Sequence, residues 1–310
     1  MASRLFRRSN YPLLVAASFL VAFAAVVSSA GQVAVYWGQG SASDDGSLAD
    51  TCASGLYDFV NIAFVSAFGN GNGQPPVLNL AGHCDPAAGT CAVFSSDVKL
   101  CQARGVKVLI SIGGATATYS LTSADEARAL ADYLWDNFLG GSSPSRPLGD
   151  AVLDGVDFDI EQGGAGYYDE LARALSSRCG GGGGACLLTA APQCPYPDAH
   201  LGDAIKTGLF SHVWVQFYNN QQCQYAPGDA SSLENAWAQW TAGVPSPGNV
   251  FLGLPAAEGA APSGGYIDAD TLRSQVLPAV QGAANYGGIM LWDRARDAAS
   301  GYGSSVRRNV

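Results

Sequence analysis

Eight short runs of aliphatic and aromatic residues recur along the chain: Val33–Trp37, Phe59–Val65, Val106–Ile112, Gly155–Glu161, Leu187–Ala191, His212–Tyr218, Val250–Leu254 and Gly288–Trp292. Most are apolar nearly throughout, the composition of strands buried on both faces of a parallel sheet. Parallel strands need crossover connections, and several intervening segments can be helices. Ser123, with Glu126 three residues on, has the capping-box pattern, and Leu130, Leu134 and Phe138 follow on one helical face. Tyr167–Leu175 reads as a second helix. Thr271–Gln281 reads as a third, with Pro278 leaving its end open.

The chain has 310 residues, and the first 30 stand apart from this rhythm. Arg4, Arg7 and Arg8 precede an apolar stretch from Leu13 to Val27, and Ser28-Ser29-Ala30 supplies small residues before Gly31. That order predicts a secretory signal peptide over 1–30, cleaved after Ala30. The competing reading is a membrane anchor, but the apolar core is short for a bilayer span. About 280 residues remain, and eight strands alternating with helices predict a single (β/α)8 TIM barrel over 31–310. A doubly wound open sheet is the competing topology. It would often carry a Gly-rich phosphate turn after its first strand, and Gly38-Gln39-Gly40-Ser41 is not one. No domain linker is evident; Gly180–Gly184 and Gly69–Pro76 read as loops within the barrel.

The net charge is −10, and loss of the leader would remove three arginines and no acid. Such a chain repels nucleic acid phosphates. All eight cysteines follow the leader: Cys52, Cys84, Cys91, Cys101, Cys179, Cys186, Cys194 and Cys223. An even count behind a signal peptide reads as disulfides, and their connectivity is open at this level. Three scattered histidines and no C-x-x-C pair argue against zinc. Cys179 and Cys186 flank a glycine run that a bridge between them would close. No N-glycosylation sequon occurs.

The fourth run carries the chemistry: Asp154-Gly155-Val156-Asp157-Phe158-Asp159-Ile160-Glu161. Side chains on a strand alternate faces, so Asp157, Asp159 and Glu161 share one face and Val156, Phe158 and Ile160 the other. In a barrel the acids point inward and climb toward the C-terminal mouth, where such folds place their active sites. Burial and mutual repulsion favour retained or shared protons, which a glycosidic acid catalyst needs. A calcium site would draw its oxygen ligands from a loop instead. Activity is therefore expected at acidic to neutral pH, with Glu161 starting protonated.

This octet, D-G-x-D-x-D-x-E, resembles the signature of glycoside hydrolase family 18, and within it the plant class III chitinases. The likeness runs from about Gln32 to Tyr302. It includes Tyr36-Trp37-Gly38-Gln39, Tyr57 to Phe64, Leu80 to Cys84, Ser111-Ile112-Gly113-Gly114, Leu188 to Pro197, Trp214 to Asn220, Leu252 to Ala257 and Gly287 to Trp292. The resemblance implies a secreted endochitinase that needs no metal or cofactor and cuts β-1,4-linked N-acetylglucosamine polymers with retention. Glu161 would be the acid/base. Asp159 would orient the substrate's attacking acetamide, Asp157 would tune Asp159 by sharing a proton, and Tyr218 would hold the acetamide carbonyl. Tyr36, Gln39, Asn70, Gly113, Gln216 and Asn219 would line the sugar cleft, with Trp292 as its floor.

The resemblance also implies the bridges Cys52–Cys101, Cys84–Cys91 and Cys194–Cys223, leaving Cys179 and Cys186 as the remaining expected pair. It suggests non-proline cis peptides after Ala63 and Trp292. Trp214 and Trp240 read as structural. Gly40, Asp293 and Glu258 depart from the family pattern. The expected partner is chitin or its oligosaccharides, with no nucleic acid and no membrane after cleavage, and with a monomer in the extracellular space or the vacuole. Side activity on peptidoglycan is open. The rival reading is a non-catalytic relative, a xylanase inhibitor or a lectin; such relatives tend to lose one of the acids or the tyrosine, all of which this chain retains.

Overall fold

A computed structural model of the protein describes Met1 and residues 31–116, 118–180 and 186–310. The expected leader, and most of the glycine run before Cys186, lie outside the described residues. Among the described residues, ten strands form one sheet: β1 (Gln32–Trp37), β2 (Phe59–Gly69), β3 (Val77–Leu78), β4 (Lys107–Gly113), β5 (Thr118–Ser120), β6 (Gly155–Asp159), β7 (Leu187–Ala190), β8 (His212–Gln216), β9 (Asn249–Pro255) and β10 (Tyr286–Trp292). Eight of these, in the order β1-β2-β4-β6-β7-β8-β9-β10, pair in parallel, and β10 returns to β1. The sheet is a closed (β/α)8 barrel, as the eight runs predict. The open-sheet topology is ruled out by that closure. β3 and β5 are short additions on the outer end of β2.

Two apolar layers follow from the alternation along each strand. Ala34, Tyr36, Phe59, Leu109, Trp214, Phe251 and Met290 fill the barrel interior. Val33, Val35, Val156, Phe158 and Ile160 face outward and pack in the layer beneath the helices. Runs that are apolar throughout are thus the residue of two burials.

The helix Ala124–Phe138 begins where predicted, with Ser123 Oγ accepting from the Glu126 N–H at 3.2 Å. Glu126 does not complete the capping box. Its carboxylate accepts from the Thr122 N–H, the Thr122 hydroxyl and the Gly71 N–H, each at 2.7 Å. The second helix is Tyr168–Arg178. The third is broken into Ala269–Thr271, a π-helical stretch Leu272–Val276, and Leu277–Val280. Pro278 has no N–H to donate and its ring crowds the preceding turn, and one wide turn before it accommodates both.

All eight cysteines are bridged, as Cys52–Cys101, Cys84–Cys91, Cys179–Cys186 and Cys194–Cys223. No helix among the described residues is long and apolar enough to cross a membrane.

His212 opens β8 at the N-terminal end of the barrel, between Phe59 at 4.7 Å and Trp214 and Phe251 at 5.5 Å, centroid to centroid. Burial among these rings pulls its pKa down to about 4. The unfolded chain binds that proton near the ordinary value of about 6.5, so stability falls as pH drops from there to about 4. The loss approaches about 3 kcal/mol. His212→Phe should lose less stability than the wild type between pH 7 and pH 4 in thermal melts. Parallel losses in the two proteins would reject this.

Candidate active site

The three acids climb β6 as the alternation requires. Asp157 is 0 % exposed, Asp159 2 %, and Glu161 lies half-buried two residues past the strand's end. The register sets their neighbours. Asp157 is level with Ser111 on β4 and Thr189 on β7, and Asp159 with Gly113. Asp154, the first acid of the octet, is at the opposite end. It accepts from the Val108 N–H at 3.0 Å, pairs with Lys107 at 2.9 Å, and ties β4 to β6.

Asp157 is enclosed by four donors. The hydroxyls of Tyr36 (2.7 Å) and Ser111 (2.6 Å) donate to one oxygen. The hydroxyl of Thr189 (2.6 Å) and the indole N–H of Trp214 (2.7 Å) donate to the other. Burial pushes its pKa up, and these four bonds pull it back. The net direction is upward, and the four donors lock the carboxyl in place at the base of the site, in an arrangement that favours its anion.

Above it, the carboxyls of Asp159 and Glu161 hydrogen-bond to one another. Burial, and then the charges of Glu161 and Asp157, push Asp159 well above the usual carboxylate range. Burial also raises Glu161, against the pull of hydrogen bonds from Gln216 and Asp159. The pair holds a proton that two independent surface acids would lose. The Gln216 amide N–H2 sits between them, 3.0 Å from Asp159 Oδ1 and 3.4 Å from Glu161 Oε1, and is anchored on the Ala191 carbonyl at 2.9 Å.

The other expected residues divide into two groups. Tyr218 is 5 % exposed, just beyond β8, and its phenol is raised by burial and then by the charges of Glu161 and Asp159, so it stands in the field of both acids. Trp292, at the end of β10, is partly exposed and packs on Tyr36 (5.5 Å) and Phe64 (6.1 Å). The peptides Ala63–Phe64 and Trp292–Asp293 are cis. Gly113 has φ +110, and a Cβ there would lie 2.1 Å from the Asp159 carbonyl oxygen, so only glycine lets the two strands close.

Gln39, Asn70 and Asn219 spend much of their hydrogen-bonding capacity within the protein. The Gln39 amide nitrogen binds the carbonyls of Gly38, Ala63 and Asn79, which leaves its oxygen for a ligand. Asn70 bonds Phe68, Thr118 and Ser120 in a left-handed turn. Asn219 Oδ1 accepts from the Ser263 N–H at 2.9 Å.

Sequence reading missed four members of the site: Thr189, Trp214, Tyr119 and Asn79. Ser111 stood only inside a motif. For Ser111 and Thr189 the signal is register, because each is level with Asp157. Trp214 reads as core until its N–H finds the buried carboxylate. Asn79 is exposed, and its backbone pairs with Phe64 beside Gln39.

Two adjoining acids that share a proton, over a third caged by donors, can protonate a leaving oxygen and stabilise the cation it leaves behind. The model of "Glycosyl hydrolases family 18" matches residues 32–265. A Cicer arietinum protein named "Acidic endochitinase" is 59 % identical over 283 residues, covering 91 % of this chain and 93 % of that one. The structure of ICChI chitinase from Ipomoea carnea is similar with a TM-score of 0.84 at 47 % identity, covering 90 % of this chain and all of that one. The xylanase and α-amylase inhibitor protein XAIP-II from Scadoxus multiflorus is similar with a TM-score of 0.82 at 44 % identity, covering 91 % of this chain and all of that one.

Proposed function

The chain belongs to glycosyl hydrolases family 18, and from that premise we propose that it is a secreted endochitinase of the plant class III kind, hydrolysing β-1,4-linked N-acetylglucosamine polymers. The observation that carries this is the acid ladder: Asp157 caged by four donors, with Asp159 and Glu161 above it at the barrel mouth, bridged by Gln216 and both raised by burial.

The sugar at the cleavage point rests on Trp292, whose apolar face suits the C–H face of a pyranose. Glu161 gives its proton to the glycosidic oxygen as the bond from that oxygen to the anomeric carbon breaks. The acetamide carbonyl oxygen of the same sugar forms the new bond to that carbon, giving an oxazolinium ion. Asp159 faces the acetamide N–H and balances the positive charge, and Tyr218 donates to the carbonyl. Glu161, now a base, takes a proton from water as it opens the ring, which returns the original anomer. This is the substrate-assisted variant of retaining hydrolysis.

Similarity to an inhibitor protein does not settle catalysis, since one barrel hosts both. The complete set Asp157, Asp159, Glu161 and Tyr218 favours the enzyme. The leader over 1–30 would send it out of the cell, cleaved after Ala30.

The test exploits the acetamide. The mature protein should cut a chito-oligosaccharide of N-acetylglucosamine and release the β-anomer first, as seen by proton NMR, and should leave the fully deacetylated oligomer intact. Binding of the acetylated oligomer without cleavage would overturn the enzymatic reading. Cleavage of both oligomers would overturn the acetamide mechanism.

A further inference from the structure

The strand that carries the acids stops pairing before it reaches Glu161. The last ladder partners of β6 are Phe158 with Ala190 on one side and Asp159 with Gly113 on the other. Beyond them a single side chain takes over the backbone. The Tyr119 hydroxyl, from β5, accepts from the N–H of Glu161 at 2.8 Å and of Gln162 at 3.1 Å, and donates to the Gly114 carbonyl at 3.2 Å. Gly114 in turn donates its N–H to the Asp159 carbonyl at 2.8 Å. The tyrosine is only 3 % exposed, and its ring stacks on Phe68 at 5.0 Å with planes 16° apart.

We propose that Tyr119 is a positioning residue for the acid catalyst. Its hydroxyl replaces the lost strand ladder at Glu161 and Gln162, and so fixes where the carboxyl of Glu161 stands relative to Asp159 and Gln216. The inference rests on the functional reading above, and it concerns a residue that itself touches no substrate. Two N–H groups bound to one buried oxygen define the direction of the chain at that point, and the bond from the hydroxyl to the Gly114 carbonyl holds that oxygen in place. Without the hydroxyl, the turn from Ile160 to Gln162 is free to shift toward water, and small displacements of a catalytic group are costly. The titratable groups around Glu161 are Asp159 on β6, Tyr218 beyond β8, Asp198 after β7 and Tyr119 itself. A shift outward moves Glu161 away from the first two of these and from burial, so it would release its proton more readily.

Tyr119→Phe keeps the ring and removes only the hydroxyl. On a chito-oligosaccharide, kcat should fall by about 10²-fold, with KM changed by less than about twofold. The alkaline limb of the pH–rate profile should move to lower pH. Phe68→Leu is the companion variant. It loosens the stack but leaves the hydroxyl, so it should lower the melting temperature while kcat stays near that of the wild type. A Tyr119→Phe enzyme with wild-type kcat and pH profile, whatever its melting temperature, overturns the proposal. So does a Phe68→Leu enzyme that loses as much kcat as Tyr119→Phe, because ring packing would then be the cause. A wild type that cuts no chito-oligosaccharide is a different failure, that of the functional reading.

Discussion

Glu161→Gln lowers the hydrolysis of chito-oligosaccharides by about 10³-fold and makes the folded protein more stable at pH 7. The first effect follows from removing the only proton aimed at the leaving oxygen. The second follows from the electrostatics of the site. Asp159 and Glu161 are both raised, chiefly by burial, so the folded chain holds protons that the unfolded chain has already released. For a carboxyl raised on folding, stability is full below its ordinary value of about 4 and falls as pH rises toward its folded pKa. At pH 7 the wild type therefore carries this cost, and the glutamine does not. The variant's gain should be about 1 kcal/mol at pH 7 and should vanish near pH 3.5. Melting curves at the two pH values decide it. A variant less stable than the wild type at pH 7 would show that the pair is not strained.

This dependence runs opposite to that of His212, which loses stability on acidification. The wild-type profile is the sum of both, so each has to be isolated by its own variant.

The fold was legible because both of its layers are apolar. A strand such as Val250–Leu254 sends Phe251 to the barrel interior and Val250, Leu252 and Leu254 to the helices, so the run is unbroken and its ends are marked by turn residues. Closure of the sheet was legible only through the count of strands and the chain length. The short strands β3 and β5 had no such signal, because two or three residues added to an edge bury too little to show in composition. The acids were legible for a simpler reason: strict alternation of carboxylates with Val, Phe and Ile has few other uses. Their partners were not. Ser111, Thr189 and Trp214 are ordinary residues in three other strands, and they converge on Asp157 through register, which a single sequence does not display. Glu126 shows the limit of a local motif. The spacing from Ser123 is that of a capping box, yet two loop N–H groups and a hydroxyl compete for the same carboxylate, and they win.

The cage around Asp157 yields the largest expected change in stability. Asp157→Ala strips the partner from four buried donors at once: Tyr36, Ser111, Thr189 and Trp214. Each unsatisfied buried group costs about 1–3 kcal/mol. The three hydroxyls can turn toward one another, but the indole N–H cannot, so the net loss should be about 4 kcal/mol, with the cavity adding to it. Asp157→Asn separates hydrogen bonding from charge. Its oxygen can face Trp214 and Thr189, and its amide can donate to Tyr36 and Ser111, whose hydroxyls accept as readily as they donate. The asparagine variant should therefore recover most of the stability. It should not recover the chemistry. The charge of Asp157 is one of the causes that raise Asp159; without it the Asp159–Glu161 pair gives up its shared proton more easily, and the pH–rate profile should shift to lower pH. Urea denaturation of both variants, with a pH profile of the second, separates the two roles. If asparagine proves as damaging to stability as alanine, the anion itself holds the barrel interior together, and its four neighbours are arranged around a charge rather than around a shape.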